Sequence, residues 1–292
     1  MDSEQQPLDR RSYMKIVGGA GAVGTFGLAG CLEGDDENGG DENGDEENGD
    51  EENGDEKNGE EDGNGENQIV AGTAPGFAPF EMVEDGELVG FDIDLLEAVV
   101  DETEYELTGW EQLEFKSLIP ALDNGNIDVI AAAMTINEER QEQIAFSDPY
   151  YSANQSVLVA SGGDFQPESL EDLADRTVGA QSGTTGEQVV QDDVIAEGII
   201  DEGDYTSFDN YVLAVEDLER GVIDAVVIDE PVAQTFQSSR DVEVAFVYET
   251  GEEYGFGVQQ NSEDLQSALS EGITAVQESS TYEEITSTWF DE

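Results

Sequence analysis

The chain has 292 residues, of which 72 are Asp or Glu and 9 are Lys or Arg, with no His and one Cys, for a net charge of −63. The lack of His excludes catalytic triads and dyads that use it as base, and metal sites that use it as ligand; a single Cys excludes a disulfide within the chain. So little positive charge also argues against nucleic acid as a partner, because neutralising phosphates needs clustered Lys and Arg.

The first 30 residues read as an export signal. Arg10-Arg11 and Lys15 precede the uncharged run IVGGAGAVGTFGLAG, which is too short and too weakly apolar to make a good membrane span. The paired arginines resemble a twin-arginine signal, a route that carries folded proteins. Leu28-Ala29-Gly30-Cys31 resembles a lipobox, which predicts cleavage before Cys31 and a lipid on its thiol. Residues 31–67 then form a linker. Positions 33–67 hold 18 acids and one Lys in repeating DENG and DEENG units, and nothing there can build a core. As a flexible coil the linker spans roughly 30–35 Å, and like-charge repulsion extends it. The remaining body is also strongly acidic. Its self-repulsion opposes compaction in dilute salt and is screened at molar salt, where the Debye length is about 3 Å. The composition therefore predicts a protein of an extreme halophile.

Residues 68–292 show alternating strands and helices. Ile69–Gly72 reads as a strand, and Ile93–Val100 has apolar residues at helical spacing. Ser117 opens a helix that Gly125 stops, Ile127–Ala133 is a buried strand, and Asn137 caps a short helix holding Glu138, Glu139 and Arg140. Val178–Ala180 is a strand, and Gly183-Thr184-Thr185 opens a helix to about Ala196. Asp209 is the expected cap of a helix ending at Gly221, Ile223–Ile228 is a strand, and Leu265–Val276 and Tyr282–Phe290 are closing helices. This order predicts an α/β fold of βαβ units with mostly parallel sheets. Leu122-x-x-Gly125-x-Ile127-Asp128 has the same spacing as Leu218-x-x-Gly221-x-Ile223-Asp224, which points to two similar lobes. Ligands of open α/β sheets bind beyond the carboxyl ends of strands. That rule places Ala133–Arg140 and Asp229–Pro231 across a cleft.

Several residues there have suitable chemistry. Arg140 is one of five cations in the body, and its guanidinium suits a carboxylate; the alternative is an ion pair with Glu138, Glu142 or another acid. Thr185 can reach an anion from a helix N-terminus that Thr184 caps. Asp229 ends an apolar strand and suits an ammonium, or else caps the helix that begins Glu230-Pro231. Arg140 and Asp229 together describe an α-amino acid zwitterion. Phe77 and Phe115 can cover a ligand side chain, whereas Phe80, Trp110 and Trp289 read as packing.

At these residues the chain resembles the polar amino-acid-binding family of ABC-transporter solute receptors. The likeness covers about residues 68–291 and includes FAPF at 77–80, GFDID at 90–94, DVIAAAMTINEER at 128–140, FSDPYY at 146–151, GTT at 183–185, IDAVVID at 223–229 and YGFGV at 254–258. The resemblance implies a two-lobe, periplasmic-binding-protein-like (Venus flytrap) receptor, each lobe a mostly parallel sheet flanked by helices, with two hinge strands. Lobe 1 would be residues 68–153 plus 254–292, and lobe 2 residues 154–253. It also implies that Arg140 holds the ligand carboxylate with help from Thr135, the Ala133 backbone and Thr185, that Asp229 takes the ammonium, and that Phe77 and Phe115 sandwich the side chain. No catalytic residue, cofactor or metal is implied. The implied object is a monomeric, lipid-anchored receptor outside the cell that feeds an ABC permease. The alternatives are a dehydratase-like enzyme on the same scaffold, or a sensing module for a partner receptor. Family members for cationic side chains often carry an acid just before the first aromatic residue. Thr73-Ala74-Pro75-Gly76 has none, which favours a neutral polar amino acid. Lys116 is expected to sit in solvent.

Overall fold

The protein is described by a computed structural model covering residues 67–290. The export signal, Cys31 and nearly all of the acidic linker lie outside the described residues. In chain order, β1 (Gln68–Thr73), β2 (Met82–Glu84), β3 (Glu87–Val89), α1 (Phe91–Asp101), β4 (Glu106–Gln112), α2 (Leu118–Asp123), β5 (Val129–Ile130), α3 (Glu138–Gln141) and β6 (Ile144–Phe146) come first. There follow β7 (Tyr151–Ala160), β8 (Val178–Gln181), α4 (Thr185–Val189), β9 (Tyr205–Phe208), α5 (Tyr211–Glu219), β10 (Ala225–Asp229), α6 (Glu230–Ser239) and β11 (Val242–Tyr254). The chain closes with β12 (Gly257–Gln259), α7 (Glu263–Glu278) and α8 (Ser280–Phe290).

These elements make two five-stranded sheets, ordered β4-β1-β5-β12-β6 and β11-β7-β10-β8-β9. In each sheet one strand is reversed against the others, β12 in the first and β7 in the second. The parallel sense follows from the βαβ connections, because a helix must carry the chain back before the next parallel strand. Strands β7 and β11 run between the lobes, paired antiparallel from Tyr151↔Tyr254 to Ala160↔Val242, with an irregularity between Tyr248 and Glu252. Such a bulge bends the ribbon at that point.

Helix α1 shows how sequence pattern becomes packing. Phe91, Leu95, Leu96, Val99 and Val100 recur at helical spacing and are all buried, beside Ile273 and Val276 of α7 and Ile285 of α8 in one core. Each such buried side chain contributes about 1.5–3 kcal/mol by leaving water. Cutting Leu96 to Ala leaves a cavity and costs about 2–5 kcal/mol. Phe80 lies at the centre of this lobe, fully buried, with ring centroids of Phe91, Tyr151, Tyr254 and Phe290 at 5.9, 5.1, 5.3 and 5.4 Å. Because Tyr151 begins β7 and Tyr254 ends β11, this aromatic cluster anchors both connecting strands to the first lobe.

Three local expectations are corrected. Asp209 does not cap α5: the Asn210 side chain accepts from Leu213 N, and Asp209 meets Lys116 instead. The strand expected over Ile127–Ala133 is regular only at β5, because Ala133 turns to φ 45, outside the extended region. The helix begun at Thr185 widens after Val189 into a π-helix over Val190–Ile195, closed by Ala196 N donating to Gln191 O at 3.0 Å. Ser117 stands at the start of α2 without a side-chain cap bond, whereas two other expected caps form. Asn137 accepts from Arg140 N, and Thr184 accepts from Glu187 N.

Candidate functional site

All seven residues singled out for binding line one cavity between the two sheets: Phe77, Phe115, Ala133, Thr135, Arg140, Thr185 and Asp229. Glu81, Gln181 and Thr184 complete its wall. The enclosed space is roughly 10 Å³, about the room of one water molecule, so an amino acid enters only if the lobes part. Beyond Arg140 and Phe115 the gap opens into a cleft of about 550 Å³, lined from both lobes.

Arg140 projects from α3, whose position is fixed by the Asn137 cap. It is 7% exposed, and it pairs with no acid within ion-pair distance among the described residues. Its guanidinium donates instead to two carbonyls, Thr135 O at 2.7 Å in its own lobe and Gly183 O at 3.0 Å in the other. It also lies over the Phe115 ring, 5.3 Å from the centroid. The ion pair weighed for Arg140 is thus not what the fold builds. Burial pulls its pKa down, and the negative charges of Asp229 and Glu252 oppose that shift. Gly183 makes the interlobe contact possible. Its φ of +79 is a left-handed conformation that residues with a side chain rarely adopt, while a Cβ there would meet Lys116 only at an ordinary contact distance of 3.4 Å.

Asp229 ends β10 and stands where an N-cap would, yet its side chain makes no cap bond. It accepts from Tyr254 Oη at 2.5 Å and is 3% exposed. Burial, reinforced by the Glu252 carboxylate, pushes its pKa up to about 8. The charged form therefore gains from any cation brought beside it. Thr135 Oγ1 lies 2.8 Å from Thr185 Oγ1 across the interlobe gap and donates to Glu252 at 2.7 Å. Phe77 faces Tyr211 of the second lobe with centroids 5.8 Å apart.

Two acids that the sequence reading did not single out matter here. Glu81 is fully buried, and among the described residues neither of its carboxylate oxygens has a hydrogen-bond partner. Burial raises its pKa well above the ordinary range, and Asp92 and Asp229 push it further. The only sequence signal was its place directly after Phe80, at the end of FAPFE. Asp92, also fully buried, accepts from Ala133 N and Tyr150 Oη, both at 2.6 Å, and burial pushes its pKa up to about 7. Ala133 is thereby held in a left-handed conformation that costs a non-glycine residue about 1–2 kcal/mol. Since its N–H is already engaged, its backbone can meet a ligand only as an acceptor. Lys116, expected in solvent, bridges Glu114 at 3.1 Å and, across the lobes, Asp209 at 2.8 Å. Among the described residues no group of three or more acids or Cys is placed to hold a metal, and no helix is long and apolar enough to cross a membrane.

Two sheets joined by paired strands, with polar and aromatic side chains converging in the gap, define a two-lobe periplasmic binding protein. Residues 69–292 match the model of the bacterial extracellular solute-binding proteins, family 3, and the chain belongs to that family. It is 33% identical over 205 residues to a probable histidine-binding protein of Campylobacter jejuni, covering 69% of this chain and 77% of that one. It is 29% identical to the lysine/arginine/ornithine-binding periplasmic protein of Escherichia coli, covering 75% and 86%. Among solved structures, an ancestral arginine-binding protein bound to arginine matches with a TM-score of 0.71 and 36% identity, covering 77% of this chain and 98% of that one. The same ancestral protein bound to glutamine also matches with a TM-score of 0.71. The chain is a solute-binding protein rather than an enzyme, and its relatives include proteins named for binding amino acids in the periplasm or outside the cell.

Proposed function

We propose that this protein is the receptor of an amino acid importer and that it takes amino acids with a cationic side chain. The observation that carries the choice of side chain is Glu81, a buried carboxylate lining the cavity with no partner on either oxygen among the described residues. A zwitterion alone matches Arg140 with its carboxylate and Asp229 with its ammonium, and leaves Glu81 uncompensated. A buried acid of that kind is costly until a cation meets it. A guanidinium or ammonium at the end of the ligand side chain supplies that cation, with Phe77 and Phe115 against its apolar stem. The preference for a neutral side chain rested on residues 73–76, whereas the acid of this cavity comes from the far side of Phe80. The names of the relatives, for histidine, arginine, lysine and ornithine, support the same reading.

The ligand carboxylate falls to Arg140 and the backbone N–H groups at the start of α4, and the ammonium to Asp229, Thr135 and the Ala133 carbonyl. Contacts to both lobes stabilise the closed form by differential binding. Residues 68–153 with 254–292 form one moving body and 154–253 the other. Export by the twin-arginine route, a lipid on Cys31 and the acidic linker would hold a monomer at the extracellular face of the cell membrane, beside its permease, in strong salt.

Calorimetric titration of the full chain in molar salt with arginine, lysine, histidine, glutamine and glutamate tests this reading. The three cationic amino acids are expected to bind most tightly. Tightest binding of glutamate, or of glutamine with no heat from arginine or lysine, rejects the cationic side chain. No binding by any of the five rejects the receptor reading.

A further inference from the structure

Glu252 lies in β11 at the irregularity between the lobes, and it is 6% exposed. It carries three hydrogen bonds. Thr135 Oγ1 donates to one oxygen at 2.7 Å, and Gln155 Nε2 and Thr250 Oγ1 donate to the other at 2.8 and 3.2 Å. An ionised carboxylate only accepts, and a threonine hydroxyl has one proton. The single proton of Thr135 is therefore committed to Glu252. It follows that in the 2.8 Å contact between Thr135 and Thr185 the donor is Thr185. Thr135 faces the cavity with lone pairs alone.

We infer that Glu252 is a positioning residue: by accepting the Thr135 hydrogen bond it leaves the Thr135 oxygen only its lone pairs toward the cavity, and so commits this part of the cavity to the ligand's ammonium. Without Glu252 the hydroxyl is free to turn its proton toward the cavity, where it opposes an ammonium. The inference rests on the proposed amino acid receptor.

The test compares the wild-type chain with Glu252→Met, Thr135→Val and the double variant. Each is titrated with arginine and with 5-guanidinopentanoate, which has the same side chain and carboxylate but no ammonium. Each single variant is expected to weaken arginine roughly 10- to 100-fold, the range for losing a hydrogen bond to a charged group. The guanidino acid should change by less than about threefold. The double variant should lose no more than the worse single variant, because both changes remove one interaction. Equal losses for both ligands overturn the inference, and so do losses that multiply in the double variant, since Glu252 would then act as a distant charge or a packing element. Glu252→Asp separates charge from contact and serves if the Met variant does not fold: it keeps the charge but withdraws the carboxylate, and arginine should still weaken. Unchanged arginine binding by Glu252→Asp overturns the role. A wild-type chain that binds neither ligand refutes the receptor reading itself, a result distinct from wild-type binding that the variants leave untouched.

Discussion

Replacing Glu81 with Gln keeps its shape and removes its charge. In a site shielded from water, removing one partner of a buried charge pair costs about 2–5 kcal/mol, largely because the other charge is left unpaired. For arginine or lysine that is a loss of roughly 30-fold to several thousand-fold in Kd. Glutamine has no charge to strand, so its affinity should stay within about threefold or improve. The ligand-free chain should respond in the opposite sense. Glu81 is buried, and both Asp92 and Asp229 repel its charged form, so Glu81→Gln relieves the folded state rather than straining it. If that relief is about 1 kcal/mol, the melting temperature rises about 2–4 °C for a body of this size. Titration calorimetry with arginine and glutamine, run beside thermal melts of the ligand-free chain, reads both effects. Equal weakening of both ligands, or a lower melting temperature with arginine binding intact, would refute the argument that this acid is held in reserve for a cation.

Other outcomes follow from the same geometry. Arg140→Lys cannot reach both Thr135 O and Gly183 O with a planar fork, so affinity for every amino acid should fall by about 100-fold or more in a titration; unchanged affinity would remove Arg140 from the site. Asp229 keeps its proton in the folded chain up to about pH 8, against an ordinary value of 3.8, so between roughly pH 4 and 8 the folded state binds more protons and stability falls as pH rises. Asp229→Asn should lessen that decline in urea midpoints measured from pH 5 to 9, leaving the contributions of Glu81 and Asp92, and an unaltered slope would contradict the burial argument. Lys116→Met breaks the exposed interlobe bridge to Asp209; exposed pairs of this kind contribute little and are screened by salt. Arginine affinity should fall no more than about fivefold in 0.1 M salt and barely at all in 2 M, and a larger loss in 2 M would show that the bridge is not simply electrostatic. The wild-type chain itself should melt at a lower temperature in 0.1 M than in 2 M salt, and a flat melting temperature would remove the link between its acidity and salt.

Much was legible from residues whose chemistry acts locally. Asn137 and Thr184 cap helices because their side-chain oxygens reach N–H groups within three residues. A glycine stop followed by an apolar strand placed Arg140 and Asp229 beyond strand ends in both lobes, and a strand end in an open α/β sheet is where a cleft forms. The apolar spacing of α1 likewise named its buried face. The pattern of the long strands β7 and β11 is not legible in sequence, because it depends on pairing with each other across 82 to 103 residues.

The acids show most sharply where sequence stops. Glu81, Asp92 and Glu252 look no different in sequence from dozens of solvated neighbours, because burial is not a property of a residue but of what packs around it. Asp209 and Asn210 are adjacent and both of a type that caps helices; in the fold Asn210 takes the cap of α5, and Asp209 meets Lys116 from the other lobe. The amino acid sequence by itself determined the two-lobe plan and the pair of charges that suits a zwitterion, since both follow from local periodicity and from which residues end strands. Only the tertiary structure decided which carboxylates lose water, which of them lack a partner among the described residues, and which hydroxyl donates its hydrogen bond to a hinge strand, because each depends on groups brought together from distant parts of the chain.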